Sequence, residues 1–219
     1  MDVPKTLSSQ SVADIPPSPL TRFLFTDTYA AWVWLFVRLY VGYEWFTSGW
    51  SKLTGYSLKF TSFGQAEGGG SWIFSQHGSS AIKGFALGAL KKSLGENPSV
   101  QDWYAGFLHQ VVLPNPVVFS YIITFGELLV GIALILGILT GIAACFGCFM
   151  NLNYMLAGAV SINPILGGLG ILLILAWRVA GYIGLDRFIV PLLGAPWTGS
   201  LYRRKQLKAQ QVETQAAQN

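Results

Sequence analysis

The chain has 219 residues, of which 52% are hydrophobic and 11% charged, and a formal net charge of +4. Soluble domains carry about 25% charged residues, so this composition excludes an ordinary soluble enzyme and points to an integral membrane protein, long enough for one compact bundle and too short for two. The basic residues flank apolar spans and form no broad stripe interleaved with stacking aromatics, which argues against a nucleic-acid partner.

Residues 1–28 hold Pro4, Pro16, Pro17 and Pro19 among Ser, Thr, Asp and Gln, with no apolar run, and are expected to be a disordered tail. No basic n-region followed by an apolar h-region and a small-residue cleavage site is visible, so the first span is expected to be retained. That span, residues 29–49, is rich in aromatics and carries both Arg38 and Glu44. Six residues correspond to about 240° of helical rotation, so the two charges are expected to serve different partners. Glu44, Ser48 and Lys52 recur at spacings of four and share a stripe. Lys52 is also placed to snorkel to the interface.

Residues 50–116 form a long insertion with no stretch apolar enough to span. Ile82, Phe85, Ala86, Ala89 and Leu90 recur helically, and Trp103, Phe107 and Val111 share a face after Asn97, Pro98 and Ser99, predicting two short interfacial helices. Gly68 to Gly70 open no strand-helix unit and predict a flexible loop, not a nucleotide cradle.

The second span, 117–136, places a single carboxylate, Glu127, in twenty otherwise uncharged residues. A charge near the midplane of a hydrocarbon core of about 30 Å is costly and should face a partner, a cavity or a ligand. Only Gly137 to Thr140 separate it from the third span, 141–162, so the two form an antiparallel hairpin. The third span carries Asn151 and Asn153, and small residues at Gly141, Ala144, Cys145 and Cys148 suit close helix packing. The fourth span, 165–182, ends near Arg178, with Ala176, Ala180 and Gly184 as another small-residue stripe. Residues 184–219 form a tail carrying Arg203, Arg204, Lys205 and Lys208.

The expected architecture is therefore an all-α, four-transmembrane-helix bundle with an extracytoplasmic insertion between helices one and two. The basic tail puts both termini in the cytoplasm by the positive-inside rule, and long loops translocate largely regardless of their own lysines. Counting from the span ends sets Arg38 about 14 Å from the inner end of span one and Glu127 about 15 Å from the outer end of span two, with Asn151 at the same level. Arg38 and Glu127 are therefore expected to face each other, either neutralising one another to hold the bundle or as catalytic groups.

Arg38 and Gly42, with GWSKL closing the first span at Gly49, Lys52 and Leu53, resemble the opening signature of the DoxX/DoxD membrane-protein family. GELLVGIALILGILTG, containing Glu127, Gly131, Gly137 and Thr140, is similar to its second-helix motif, and Gly184, Leu185 and Asp186 resemble its ending after helix four. The resemblance covers roughly residues 29–190, apart from much of the insertion. It implies a four-helix membrane protein, and its DoxD branch implies the membrane subunit of thiosulfate:quinone oxidoreductase, working with a DoxA-type second subunit. The long insertion favours the DoxD-like branch. Membership alone does not choose among branches.

For that chemistry a dianionic sulfur oxyanion needs cations, for which Arg38, Lys52 and Lys59 are candidates, with Glu44 on the Lys52 stripe. A membrane quinone needs apolar walls, donors and a proton source, for which span-one aromatics, Asn151 and Glu127 are candidates. Asn151 and Asn153 are better suited to tie neighbouring helices than to hold a ligand. Cys145 and Cys148 form a CxxC that is either a redox dithiol or small-residue packing; the latter is favoured by the lack of a second cysteine pair and by a location near a reducing compartment. His77 and His109 both lie in the insertion, and no haem or metal motif is present. Two other classes are a small transporter, for which no inverted repeat or broken helix is visible, and a non-catalytic membrane anchor or accessory subunit of a redox complex.

Overall fold

The computed structural model describes residues 18–66, 70–74, 78–193 and 215. The basic cluster at 203–208, His77 and most of the glycine run lie outside these. The described part is built from helices, with one isolated bridge pairing Tyr56 and Ala66.

Helix α1, Pro19–Thr26, corrects the expectation of a tail through residue 28. Ser18 caps it by accepting from Thr21 N, and Pro19 occupies its first turn, where a missing N–H costs nothing. Asp27 then caps a short 3-10 turn, Thr28–Ala30, by accepting from Tyr29 N. The indole of Trp34 donates to Leu24 O at 2.7 Å and pins α1 to the next helix.

Helix α2, Ala31–Thr54, runs a turn beyond the expected end at Gly49 and stops where Gly55 adopts φ 82°. It lies antiparallel to α5, Pro116–Leu136. Glycines set the spacing of this pair. A Cβ on Gly131 would stand 2.5 Å from Phe46 N, and one on Gly49 would stand 2.8 Å from Leu128 N. Both close approaches involve backbone, so neither can be relieved by a rotamer change.

Between them lie α3, Gly78–Lys91, and α4, Asp102–Phe107, which continues into a π-helical turn, Leu108–Val112. Ile82, Ala86 and Ala89 are buried, as their spacing suggests. The second segment is rotated from the expected face: Tyr104, Leu108 and Val112 point inward, while Trp103 and Val111 are exposed. The reason is polar as well as apolar, because Tyr104 Oη donates to Asn153 O at 3.0 Å and so turns its own edge of the helix inward. These residues form a second core with Val100 and Ala157, so the insertion packs on the bundle. Lys92 Nζ adds a tie by donating to Gly158 O at 2.8 Å.

Helix α6, Thr140–Leu156, is shorter than the expected third span. Gly158, at φ 72°, helps turn the chain into α7, Asn163–Leu175, with Pro164 in the first turn. A break at Ala176 separates α7 from α8, Trp177–Ala180, and α9, Asp186–Leu192, ends the described run of helices. Small residues seat α6 on its neighbours: Cys148 Sγ lies 3.8 Å from Gly167 O, and a Cβ on Gly141 would meet Trp177. Cys145 instead points outward, and both cysteines are free thiols.

Of the described helices, Pro116–Leu136 is long and apolar enough to cross a membrane by length and composition, and Asn163–Leu175 is a shorter apolar helix. Large apolar side chains such as Phe36, Ile122, Leu129, Phe146, Phe149 and Leu175 are exposed around the bundle. An apolar belt of this extent suits a lipid environment better than water.

Candidate functional site

Glu127 is completely buried on α5. Its counter-ion is Lys52, whose Nζ lies 2.7 Å from Glu127 Oε2. Helical side chains lean toward the helix N-terminus, so the Lys52 ammonium falls back one turn and also donates to Ser48 Oγ at 2.7 Å. The other Glu127 oxygen, Oε1, accepts from Tyr154 Oη of α6 at 2.5 Å. Three helices thus contribute to one chain of polar groups, Ser48, Lys52, Glu127 and Tyr154. Gly49 makes room for it, since a Cβ there would lie 3.1 Å from Glu127 Cβ.

The two ends of this chain differ. Lys52 is partly exposed and stands over the Trp72 ring at 5.3 Å. Tyr154 is enclosed by aromatics, with Trp45 stacked at 6.3 Å and Phe85 edge-on at 6.0 Å. It also lines a cavity of about 230 Å³ bounded by α3, α4, α5 and α6. Ser120 and Thr124 follow the Glu127 face toward the start of α5, and their buried hydroxyls have no hydrogen-bond partner.

Arg38 does not face Glu127, which corrects the expected midplane pair. Its guanidinium donates to Ala180 O at 3.2 Å and Ile183 O at 2.7 Å. The depth count failed because it took Gly49 as the end of the first helix. In the antiparallel pair Gly49 itself packs against Glu127, and Arg38 is eleven residues away, about 16 Å along α2. Arg38 instead lies beside Gly137 and Gly184, where Asp186 accepts from Leu139 N and, at 2.9 Å, from Thr140 N, and where Asp186 N donates to Gly137 O at 2.7 Å. The motif residues therefore gather in two places: a polar chain around Glu127, and a buried knot that locks the α5–α6 turn to the segment after α8.

Other candidates separate from the Glu127 chain. Glu44 sits 3.9 Å from Lys59, so Arg38 and Glu44 do have different partners. Asn151 donates to Asn163 O at 2.6 Å and ties α6 to the start of α7. Tyr154 and Tyr104 escaped the sequence reading. The available signal was a phenol three residues beyond Asn151 in an apolar helix, a polar group that needs a partner once buried.

A helical membrane protein with a buried ion pair joined through a phenol to an apolar cavity is the class that this architecture defines. The DoxX family model matches residues 33–159, more than half of the chain, and the chain belongs to the DoxX family. That match contains Lys52, Glu127 and Tyr154 and ends before Asp186. No curated protein and no solved structure matches the chain.

Proposed function

We propose that the chain is the quinone-facing membrane subunit of a thiosulfate:quinone oxidoreductase-type system, crossing the bilayer four times through α2, α5, α6 and the α7–α8 pair. On this reading both termini are cytoplasmic and the insertion is outside, with a DoxA-type subunit as partner. The observation that carries the proposal is the Lys52–Glu127–Tyr154 chain, which runs from a partly exposed cation to an apolar cavity.

Joining two thiosulfates as tetrathionate forms one sulfur–sulfur bond and releases two electrons. Quinone reduction takes those two electrons and two protons. Within this scheme Tyr154 supplies a proton at the cavity wall, Glu127, hydrogen-bonded on both sides, passes the replacement from Lys52, and Lys52 is reprotonated from water, the relay running twice for each quinone. Lys52 is also the cation that meets the sulfur oxyanion at the outer face, and Lys59, 3.9 Å from Glu44, is a second cation of the insertion. Arg38 is left out of the anion site, because it is 1% exposed and its guanidinium is taken up by carbonyls.

The test is quinone reduction by purified chain, with and without its partner subunit, on addition of thiosulfate. Thiosulfate-dependent formation of quinol and tetrathionate in a 1:1 ratio supports the reading. Intact, folded protein that reduces no quinone in either preparation would support the membrane-anchor reading in its place.

A further inference from the structure

The cavity beside Tyr154 continues past the polar chain. It shares Ile122, Phe149 and Met150 with a groove of about 480 Å³ on the α5–α6 seam, which reaches Leu139 and Ile142 at the far end of the hairpin. From Ile122 to Ala133 alone the groove follows α5 for about 16 Å. Its walls are aliphatic and aromatic, and Ile122 and Phe149 are largely exposed, so the junction opens sideways from the bundle. Polar groups stand at the cavity end: Tyr104, Asn153 and Tyr154. Asn153 Nδ2 uses one hydrogen on Phe149 O at 2.8 Å and has a second. Tyr104 spends its one hydroxyl hydrogen on Asn153 O at 3.0 Å and so holds Asn153 in place, which leaves the second hydrogen of Asn153 Nδ2 as the free donor at this wall. The π-helical turn brings Leu108 and Val112 to the same wall, and π turns recur at functional sites.

A small head with acceptor oxygens and a long apolar tail fits this shape, and lateral opening suits a ligand dissolved in the bilayer. We propose that the Tyr104–Asn153–Tyr154 cavity receives a quinone ring and that the α5–α6 groove receives its isoprenoid tail, with Ile122, Phe149 and Met150 at the junction. This rests on the quinone reading above and adds where the ligand sits and why a tail is needed. Gly126 belongs to the same design, since a Cβ there would lie 3.1 Å from Met150 Sδ and push that side chain into the passage.

The experiment uses the full chain in lipid nanodiscs and two probes, a benzoquinone carrying a ten-carbon tail and the same ring without it. Binding is read by titration, and its location by photo-crosslinking with an azido form of the tailed probe. The wild type should bind the tailed probe at least about tenfold more tightly than the bare ring. Ile122→Trp, at the junction, should remove most of that advantage, and Leu129→Trp, in the groove only, should do the same while sparing ring binding. Leu172→Trp, on α7 and outside both compartments, should change neither. Because Leu129 is exposed, its variant carries the test if Ile122→Trp does not fold.

Crosslinks within 104–112 or 149–154 support the proposal. Equal affinity for both probes, an unchanged tail advantage in both tryptophan variants, or crosslinks spread over the lipid-facing surface outside 104–112 and 149–154 would overturn it. The two proposals separate cleanly. Thiosulfate-dependent reduction with unaltered KM in the tryptophan variants would sink the placement and leave the function. Tail-dependent binding without any thiosulfate activity would do the reverse.

Discussion

Glu127 and Lys52 are the residues on which the account depends most. Their pair is buried on the carboxylate side, and removing one partner from such a pair costs about 3 to 5 kcal/mol, mostly the penalty for leaving the other charge unpaired. Lys52 is partly exposed, so Glu127→Leu should fall at or below the low end of that range, because the freed ammonium can turn toward water. Lys52→Met leaves Glu127 fully enclosed and should be the more damaging single change. Combining the two should recover much of the stability without restoring quinone reduction, with unfolding in detergent and turnover as separate readouts. Arg38→Leu combined with Glu127→Leu should show no such recovery, as these residues do not touch. The burial of Glu127 was legible in the sequence because a lone acid in an apolar run needs no tertiary information to be noticed. Its partner was not, because depth counted from span ends carries the full error of those ends; the spacing of four did place Ser48 beside Lys52, but not the helix that this stripe faces.

At the scale of helices, the α2–α5 contact is governed by absence of side chains. Gly131→Ala would press a methyl group against the Phe46 backbone at 2.5 Å and should force the pair apart. We expect a loss of about 1 to 3 kcal/mol, the usual cost of overpacking, and a disturbed Lys52–Glu127 pair, seen as lower thermal stability and lower turnover together. Gly84→Ala, where an added Cβ meets nothing within 4 Å, should be neutral or slightly stabilising. Apolar periodicity located α3 correctly at Ile82, Ala86 and Ala89. It misjudged α4 at Trp103 and Val111, which are as apolar as Leu108 and Val112 but exposed, while Phe107 does pack on the second core; the Tyr104–Asn153 hydrogen bond helps to choose the face. Helix α1 was missed for a related reason: eight residues beginning with Pro look like coil until Ser18 is seen as a cap and Trp34 as an anchor.

Across the whole molecule, the family motifs divide the bundle into a polar chain at one level and a locking knot at the other. The four-span reading assigns these to the outer and inner halves. It predicts that Leu94→Cys, in the insertion, labels with an impermeant reagent from outside, and that Ala216→Cys labels only after the cytoplasmic side is opened, both in a background with Cys145→Ala and Cys148→Ala. That background should retain its activity, because Cys148 packs against the Gly167 backbone and Cys145 points away from the site. Reversed labelling would contradict the topology. The membrane class and helical fold could be read from composition and spacing alone, whereas the cavity could not, because it is formed by four helices brought together from separate parts of the chain. The most direct measurement is thiosulfate-dependent quinone reduction by purified wild type and Glu127→Gln side by side. Glutamine preserves the shape and the contact with Tyr154 but carries no titratable proton. The account predicts a folded variant whose kcat falls at least about 100-fold, in line with loss of general acid–base catalysis, while KM for quinone changes little. Wild-type turnover in that variant would contradict it.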